Sequence, residues 1–374
     1  MTAALDHLVP SYVRRFEPYV ASPPDDVLCR RFGVPHLHRL HNNENPMGPP
    51  PAAARILRGW PSDPGIIYPQ GDGWHLRHRL AAHFDISPDQ IVIGNGATEA
   101  IAFVLRAFCE GGDNIVTADV TFAVYEWIAQ FSGAEPRLTA LADFTFDPDA
   151  LLARIDRRTK VVFVCNPNNP TGTWWPHARL ERFLEAVDGR AIVVLDEAYA
   201  EFVEDPAFPD SMALLRRHPN LVVFRTFSKA WGLAGLRVGY LIAAPAVAAT
   251  IRKTAISYSV NALALEAAEA AVWDREHLAA TNRQIAAARA IVAAAADRLG
   301  LATAGTAGNF VMLRVPLSDM LVHRRLMARG FAARAMTAFR CPGWLRVSLG
   351  ALPVMDAFAG ALAEVLEGGS GHIR

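Results

Sequence analysis

The sequence predicts an α/β fold: a large, mostly parallel sheet covered by helices, followed by a smaller α+β unit. Three observations carry that expectation. From about residue 90, near-continuous apolar runs alternate with amphipathic helical stretches, the pattern of strands buried on both faces. Beyond about residue 250 the texture changes to a long Ala-rich helical stretch and then to short strand-like runs. The 374 residues, 52% hydrophobic, suffice for two domains and a substantial core.

The elements follow in order. The first 40 or so residues show little periodicity, so 1–44 is expected to be an arm packed on the smaller unit or on a partner subunit. "QIVIGNGATEAIAFVLRAF" runs from a β-branched strand through Gly94 and Gly96 into a helix, and "NIVTADVTFAVYEWIAQF" repeats that plan. "KVVFVCNPNNPTG" is a strand ending in a polar, Pro-rich loop. "AIVVLDEAYAEF" and "NLVVFRTFSKAWG" are two more apolar strands that turn polar at their C-terminal ends. The large domain is expected over 45–250 and the small one over 251–374. The latter opens on "NALALEAAEAAVWDREHLAATNRQIAAARAIVAAAADRLG", which reads as one bent or broken helix. "NFVMLRV", "FAARAM" and "WLRVSLG" then read as strands, with helices around 317–329 and 354–367.

Composition narrows the function classes. Lys+Arg and Asp+Glu are both 37, which gives no overall bias toward nucleic acid or acidic surfaces. Cys29, Cys109, Cys165 and Cys341 are scattered without a CxxC pair, so reduced thiols and no metal site are expected. "MTAALDHLVPSYVRRFEPYV" lacks the basic start and apolar run of a signal peptide, and no stretch offers 18 uninterrupted apolar residues. A cytoplasmic protein bound to neither membrane nor nucleic acid is expected.

The strand ends carry the chemistry. In open α/β sheets ligands sit beyond the carboxyl ends of the strands, and here those ends bear Asn169, Asp196, Tyr199 and Lys229. One acid, one amide, one phenol and one lysine, together with a phosphate cradle, suit pyridoxal phosphate. Its aldehyde needs the Lys229 amine, and its ring nitrogen needs the Asp196 carboxylate to stay protonated. Tyr199 and Asn169 could reach the ring hydroxyl. The phosphate would take the amides of Ala97 and Thr98 at a helix N-terminus, with Thr226, Ser228 and Arg237. Phe122 could stack on the ring.

In the same order, "VRRFEPYV", "NNENPMGPP", "YPQG", "GNGATEAI", "NPNNPTGT", "VVLDEAYAEF", "RTFSKAWGLAGLRVGY", "SYSVNALALEAA", "NFVML" and "WLRVSLG" span nearly the whole chain. This set resembles the pyridoxal-phosphate aminotransferases of the aspartate-aminotransferase fold, and among them the histidinol-phosphate aminotransferases. The resemblance implies a seven-stranded-type large sheet, Lys229 as the Schiff-base lysine and Asp196 as the ring-nitrogen partner. It implies a homodimer in which Tyr68 reaches the phosphate held by the other subunit, and it gives Arg346 to the substrate's anionic group. Arg334, on a closing strand, and Tyr19, in the arm that should cover the pocket, join it as substrate-binding candidates. The activity expected is ping-pong transamination between an amino donor and a 2-oxo acid acceptor, with histidinol phosphate and the 2-oxoglutarate/glutamate couple as the substrates. The alternatives are an aromatic or specialised-metabolite aminotransferase, or a lyase like the threonine-phosphate decarboxylases. A cofactor-sensing regulator would need a DNA-binding module for which the chain has no room. The chain departs from the family pattern in Ala335 for an acid, in His41, in "GALPVMD" and in Trp174 and Trp175.

Overall fold

The computed structural model describes residues 7–14, 16, 23–60 and 63–367. Twelve strands are found among them: β1 (His38–Leu40), β2 (Ile91–Gly94), β3 (Asn114–Ala118), β4 (Glu135–Thr139), β5 (Thr159–Cys165), β6 (Ile192–Asp196), β7 (Leu221–Thr226), β8 (Gly239–Ala243), β9 (Thr303–Ala304), β10 (Phe310–Arg314), β11 (Phe331–Ala335) and β12 (Trp344–Ser348). They form two sheets. The larger has seven strands in the order β2-β8-β7-β6-β5-β3-β4, and the smaller has five in the order β1-β11-β12-β10-β9.

The apolar runs explain the larger sheet. Every residue of β2, β3 and β8 is buried, as a sheet covered on both faces requires. Strands β3 to β7 pair in parallel, whereas β8 runs antiparallel to both β2 and β7. The expectation of a mostly parallel sheet therefore holds. Strand β4 carries Glu135 and Arg137 at the sheet edge, where one side of the strand has no partner to cover it. Helix Ala97–Phe108 buries Ala100, Ile101, Phe103, Val104 and Leu105 against this core.

The second half of the chain builds the smaller sheet. The Ala-rich stretch breaks into helices Ala262–Ala271 and Arg275–Arg298. Both starts are capped by side chains: Ala264 N donates to Asn261 Oδ1 at 2.8 Å and His277 N to Asp274 Oδ1 at 2.9 Å. The break is thus written in Asp274, which satisfies the new helix's first turn. The N-terminal segment is more regular than its sequence shows, with helix Asp25–Phe32 closed by Gly33 (φ 67°) and strand β1 added in parallel to β11. Three residues are too few to display an alternating pattern, so β1 exists through its pairing.

Two close backbone contacts tie the sheets together. Gly232, just past Lys229, has φ 66°, and a side chain there would strike the Gly48 carbonyl. The loop after β5 likewise meets the turn before β10, where Ala307 N donates to Gly172 O at 3.1 Å. Among the described residues no helix is long and apolar enough to cross a membrane.

Candidate active site

Strand register assembles an anion cradle. Thr226 on β7 lies opposite Gly239 on β8, which lies opposite Gly94 on β2, so three strand ends stand abreast. Beyond β2 the chain turns at Gly96 (φ 78°) into helix Ala97–Phe108, whose first turn has no side-chain cap. The N–H groups of such a turn, here including Ala97 and Thr98, have no partner within the helix. Ser228 N donates to Thr226 Oγ1 at 3.1 Å, and Arg237 Nη1 donates to Ser228 Oγ at 3.3 Å. A Cβ at Gly96 would collide with the Arg237 guanidinium, so this glycine is what lets the arginine reach the helix start. The structure thus brings Ala97, Thr98, Thr226, Ser228 and Arg237 together.

The acid lies one strand along, on β6 beside β7. Asp196 ends β6 in register with Cys165, beside the loop that carries Asn169. Its Oδ2 accepts from the Tyr125 hydroxyl at 2.5 Å and its Oδ1 from Ala198 N at 3.0 Å. Burial pushes the carboxyl above its ordinary value, against the pull of the Tyr125 and Ala198 bonds and of Lys229. Tyr125 is fully buried and stacks on Phe163 with centroids 4.5 Å apart. Reading the sequence missed Tyr125; its signal was a second aromatic residue three places after Phe122. Phe122 is half-buried and meets Tyr125 edge-on at 5.5 Å. On the next residues of the same two strand ends, Arg225 Nη2 donates to the buried Glu197 Oε2 at 2.6 Å and fastens β7 to the end of β6.

The lysine faces a segment whose role was also invisible in the sequence. Lys229 Nζ donates to Asn42 O at 2.8 Å and lies 5.7 Å from the centre of the Tyr199 ring. The Tyr199 hydroxyl accepts from Asn43 Nδ2 at 3.0 Å, and burial pushes its pKa up. Burial, then Arg346, and then Arg237 against the opposing Glu44, pull the Lys229 ammonium down to about 7. The amine is therefore free base above about pH 7 and blocked by a proton below it. Coupling of the apoprotein to an aldehyde should rise about tenfold per pH unit below 7 and level off above pH 8. A rate that keeps climbing toward pH 10 would show an ordinary lysine.

The substrate candidates divide. Arg346, 6% exposed, donates through Nη1 to Asn169 Oδ1 and through Nη2 to His41 O at 2.6 Å. Its Nε is buried without a hydrogen-bond partner. Burial and the neighbouring Arg334 hold its pKa down at about 10, while Tyr199 opposes them. Arg334 sits directly across from Arg346 in the β11–β12 register. Tyr19 lies outside the described residues. Tyr68 is 82% exposed beside Ile66, Ile67 and Tyr258, and lines a surface hollow with His75, Arg79 and Glu266 rather than joining Lys229. Trp175 does not line a pocket: it is buried in the large core, and its indole N–H donates to Phe146 O at 2.8 Å. Trp174 leans on Phe208. Among the described residues no His/Cys/Asp/Glu group is arranged to hold a metal ion.

These groups fit pyridoxal phosphate. An uncapped helix start with two hydroxyls and an arginine suits its phosphate, and a buried carboxyl with no salt bridge among the described residues suits its ring nitrogen. A lysine amine with a lowered pKa suits its aldehyde.

The chain is similar to known proteins. The family model for aminotransferase class I and II matches residues 39–362. Histidinol-phosphate aminotransferase 2 of Pseudomonas aeruginosa is 40% identical over 356 residues, 95% of this chain and 96% of that protein. Histidinol-phosphate aminotransferase 1 of Cupriavidus pinatubonensis is 38% identical over 363 residues, 96% of each. Among solved structures, histidinol-phosphate aminotransferase from Sinorhizobium meliloti in complex with pyridoxal-5'-phosphate superposes with a TM-score of 0.88 at 30% identity, over 96% of this chain and 98% of that one. A Thermus thermophilus aspartate aminotransferase, 20% identical with a TM-score of 0.82 over 96% of this chain and 99% of that one, shares the fold.

Proposed function

The chain belongs to the class I and II aminotransferases, and we propose that it moves an amino group between histidinol phosphate and the 2-oxoglutarate/glutamate couple. It is a pyridoxal-phosphate enzyme of this family, acting on an amino compound and a 2-oxo acid. The observation that carries the substrate reading is the arginine pair. Arg334 and Arg346 stand opposite each other on β11 and β12, and Arg346 keeps a buried, unpartnered Nε. Guanidinium forks suit both carboxylate and phosphate, so one pair can serve both halves of the reaction. The names of the similar relatives point the same way.

When bound, pyridoxal phosphate supplies the aldehyde carbon that takes up the amine and a protonated ring that draws electron density from the substrate's α-carbon. This chain's residues do the rest. Ala97, Thr98, Thr226, Ser228 and Arg237 hold the phosphate, with Tyr68 of a second subunit reaching in. Asp196, oriented by Tyr125, keeps the ring nitrogen's proton in place. Asn169 and Tyr199 orient the ring hydroxyl, and Phe122 covers one face. Lys229 Nζ, with its lowered pKa, removes the α-proton and returns it. Because the loaded enzyme would keep the amino group between the two half-reactions, the first product leaves before the second substrate enters and the kinetics are ping-pong.

The test compares histidinol phosphate with histidinol and phenylalanine as amino donors to 2-oxoglutarate. Histidinol phosphate should be preferred. Arg346→Ala should weaken both half-reactions by about 2–5 kcal/mol, and Arg334→Ala mainly the phosphorylated one. Equal rates with the unphosphorylated donors would refute the phosphate reading.

We also propose a cytoplasmic homodimer with a large domain over 45–250, a small one over 251–374 and an arm over 1–44. The exposed Ile66, Ile67 and Tyr68 support the dimer, since a monomer would leave this apolar cluster in water. Mixing inactive Tyr68→Phe chains with Lys229→Ala chains should restore activity through hybrid sites free of both lesions. No recovery after demonstrated subunit exchange would end the shared-site idea.

A further inference from the structure

Two carboxylates that follow Asp196 in the chain, Glu197 and Glu201, grip the segment that carries Lys229. Glu197 is fully buried, and its Oε2 accepts three bonds: from Arg225 Nε at 2.9 Å, from Arg225 Nη2 at 2.6 Å and from Ser211 Oγ at 2.9 Å. Its Oε1 is buried without a hydrogen-bond partner. Glu201 Oε1 lies 3.5 Å from Arg225 Nη1. Burial pushes the Glu201 carboxyl up, against the pull of Arg225 and, more weakly, of the Trp231 indole. The segment 196–201 thus meets the segment 225–231 at Arg225 and at Trp231, on either side of Lys229 in the chain. This contact lies on the far face of the sheet from the cofactor groups. Asp196 stands opposite Phe224 in the β6–β7 register, and Glu197 N extends the ladder by donating to Phe224 O at 2.9 Å. Side chains alternate along a strand, so Thr226 shares the Asp196 face and Arg225 takes the other.

We propose that Arg225 and Glu197 are positioning residues for the transamination, a clamp that sets the distance from Asp196 and Tyr199 to Lys229, Thr226 and Ser228. The inference rests on the reading of Asp196 and Lys229 as the groups that meet the cofactor's ring nitrogen and aldehyde. The cost of the arrangement argues for a purpose beyond stability. A buried ion pair is seldom a net gain over apolar packing, because both charges must leave water, and here one guanidinium faces two carboxylates. What the pair supplies is direction. The fork of Arg225 delivers two N–H groups to a single oxygen, and Ser211 adds a third donor. β6 and β7 both end within one residue of this pair, where the ladder runs out and side chains take over the spacing. Apolar residues at 197 and 225 would pack there without fixing it. The groups on the other face would then lose their common register, although none of them touches the clamp through its side chain.

The test compares the cofactor-loaded native enzyme with Glu197→Gln, Arg225→Lys and the double variant Glu197→Leu/Arg225→Met. The readouts are pyridoxal-phosphate affinity, the visible circular dichroism of the bound cofactor, and kcat and KM for the amino donor. The double variant leaves no isolated arginine charge, and Glu201 can take a proton because burial already pushes its pKa up. It should bind cofactor about tenfold more weakly, show weaker visible circular dichroism and lose roughly tenfold to a hundredfold in kcat. Its KM should stay within about threefold of native, since Arg346 stands on the other sheet. Glu197→Gln keeps an oxygen for the three donors and leaves Glu201 to balance Arg225, so it should stay within about threefold of native throughout. Arg225→Lys keeps the charge without the fork and should fall between the two. Native cofactor affinity and circular dichroism in a folded double variant or in Arg225→Lys overturn the inference, even where the melting temperature drops, and leave the pair a structural link. If the double variant does not fold, Arg225→Lys decides alone. A Glu197→Gln enzyme as impaired as Glu197→Leu/Arg225→Met also overturns it, because charge rather than direction would then matter. Near-native turnover in Asp196→Asn overturns the site reading beneath the inference, a failure told apart because Arg225 and Glu197 are unchanged in that variant.

Discussion

Replacing Lys229 with alanine abolishes transamination, by more than about 10⁴-fold, while cofactor binding persists. The two effects separate because different residues carry them. The lysine contributes its Nζ to the reaction, whereas the phosphate cradle is built from the helix start at Ala97, from Thr226 and Ser228, and from Arg237. Removing the side chain costs the fold one hydrogen bond, from Nζ to Asn42 O, so the thermal midpoint should move by only a few degrees. The absorbance band of lysine-linked cofactor should vanish, and a small exogenous amine should restore part of the turnover. A borohydride-trappable linkage that survives in Lys229→Ala would assign the chemistry to another residue.

Asp196→Asn separates stability from chemistry with opposite signs. Asparagine keeps the shape and can accept from Ala198 N through Oδ1 while its Nδ2 donates to the Tyr125 hydroxyl, but it removes the charge that would hold the ring nitrogen protonated. By comparison with other electrostatic deletions this should cost about 3–4 kcal/mol, a loss of roughly a hundredfold to a thousandfold in kcat. Burial pushes the Asp196 pKa up, so the ionised carboxylate is unfavourable wherever no cation sits beside it. The apoprotein of Asp196→Asn should therefore melt at the same temperature as the native apoprotein or slightly higher. A variant with near-native turnover would reduce Asp196 to a local cap on Ala198. One that unfolds would make it a structural residue.

The polar residues ending each apolar strand were legible because strand and loop are local. Short β-branched runs announce β2, β3, β5, β6 and β7, and the groups just beyond them, Asn169, Asp196, Tyr199 and Lys229, come to one edge of the sheet because parallel strands share a direction. The glycines at 94 and 96 likewise mark their turn without any knowledge of the partner strand. Other features were not legible. Strand β8 is not among the strands read from the sequence, and its reversed direction shows only in how Gly239 meets Thr226 and Gly94. Tyr125 reads as a core aromatic until it is found beneath Asp196, 71 residues away in sequence.

What remains to the tertiary structure is every relation that spans the two sheets. Asn42 meets Lys229 across 187 residues and Arg334 across 292, and Arg346 meets Asn169 across 177. Local pattern carries no information about such pairs, because hydrophobic period and turn chemistry act over a few residues. Trp175 illustrates the converse: it stands out in the sequence as a departure from the family pattern, but the packing of Phe146 and Phe183 around it makes it core. The chain alone thus specified strands β2, β3, β5, β6, β7 and β10 to β12 and the polar groups that end them. Which of those groups face one another was decided only when long-range packing fixed the register of β11 against β12 and laid residues 41–45 across the strand ends. Side-chain hydrogen bonds reach only about 3 Å, so their partners are set by that final packing.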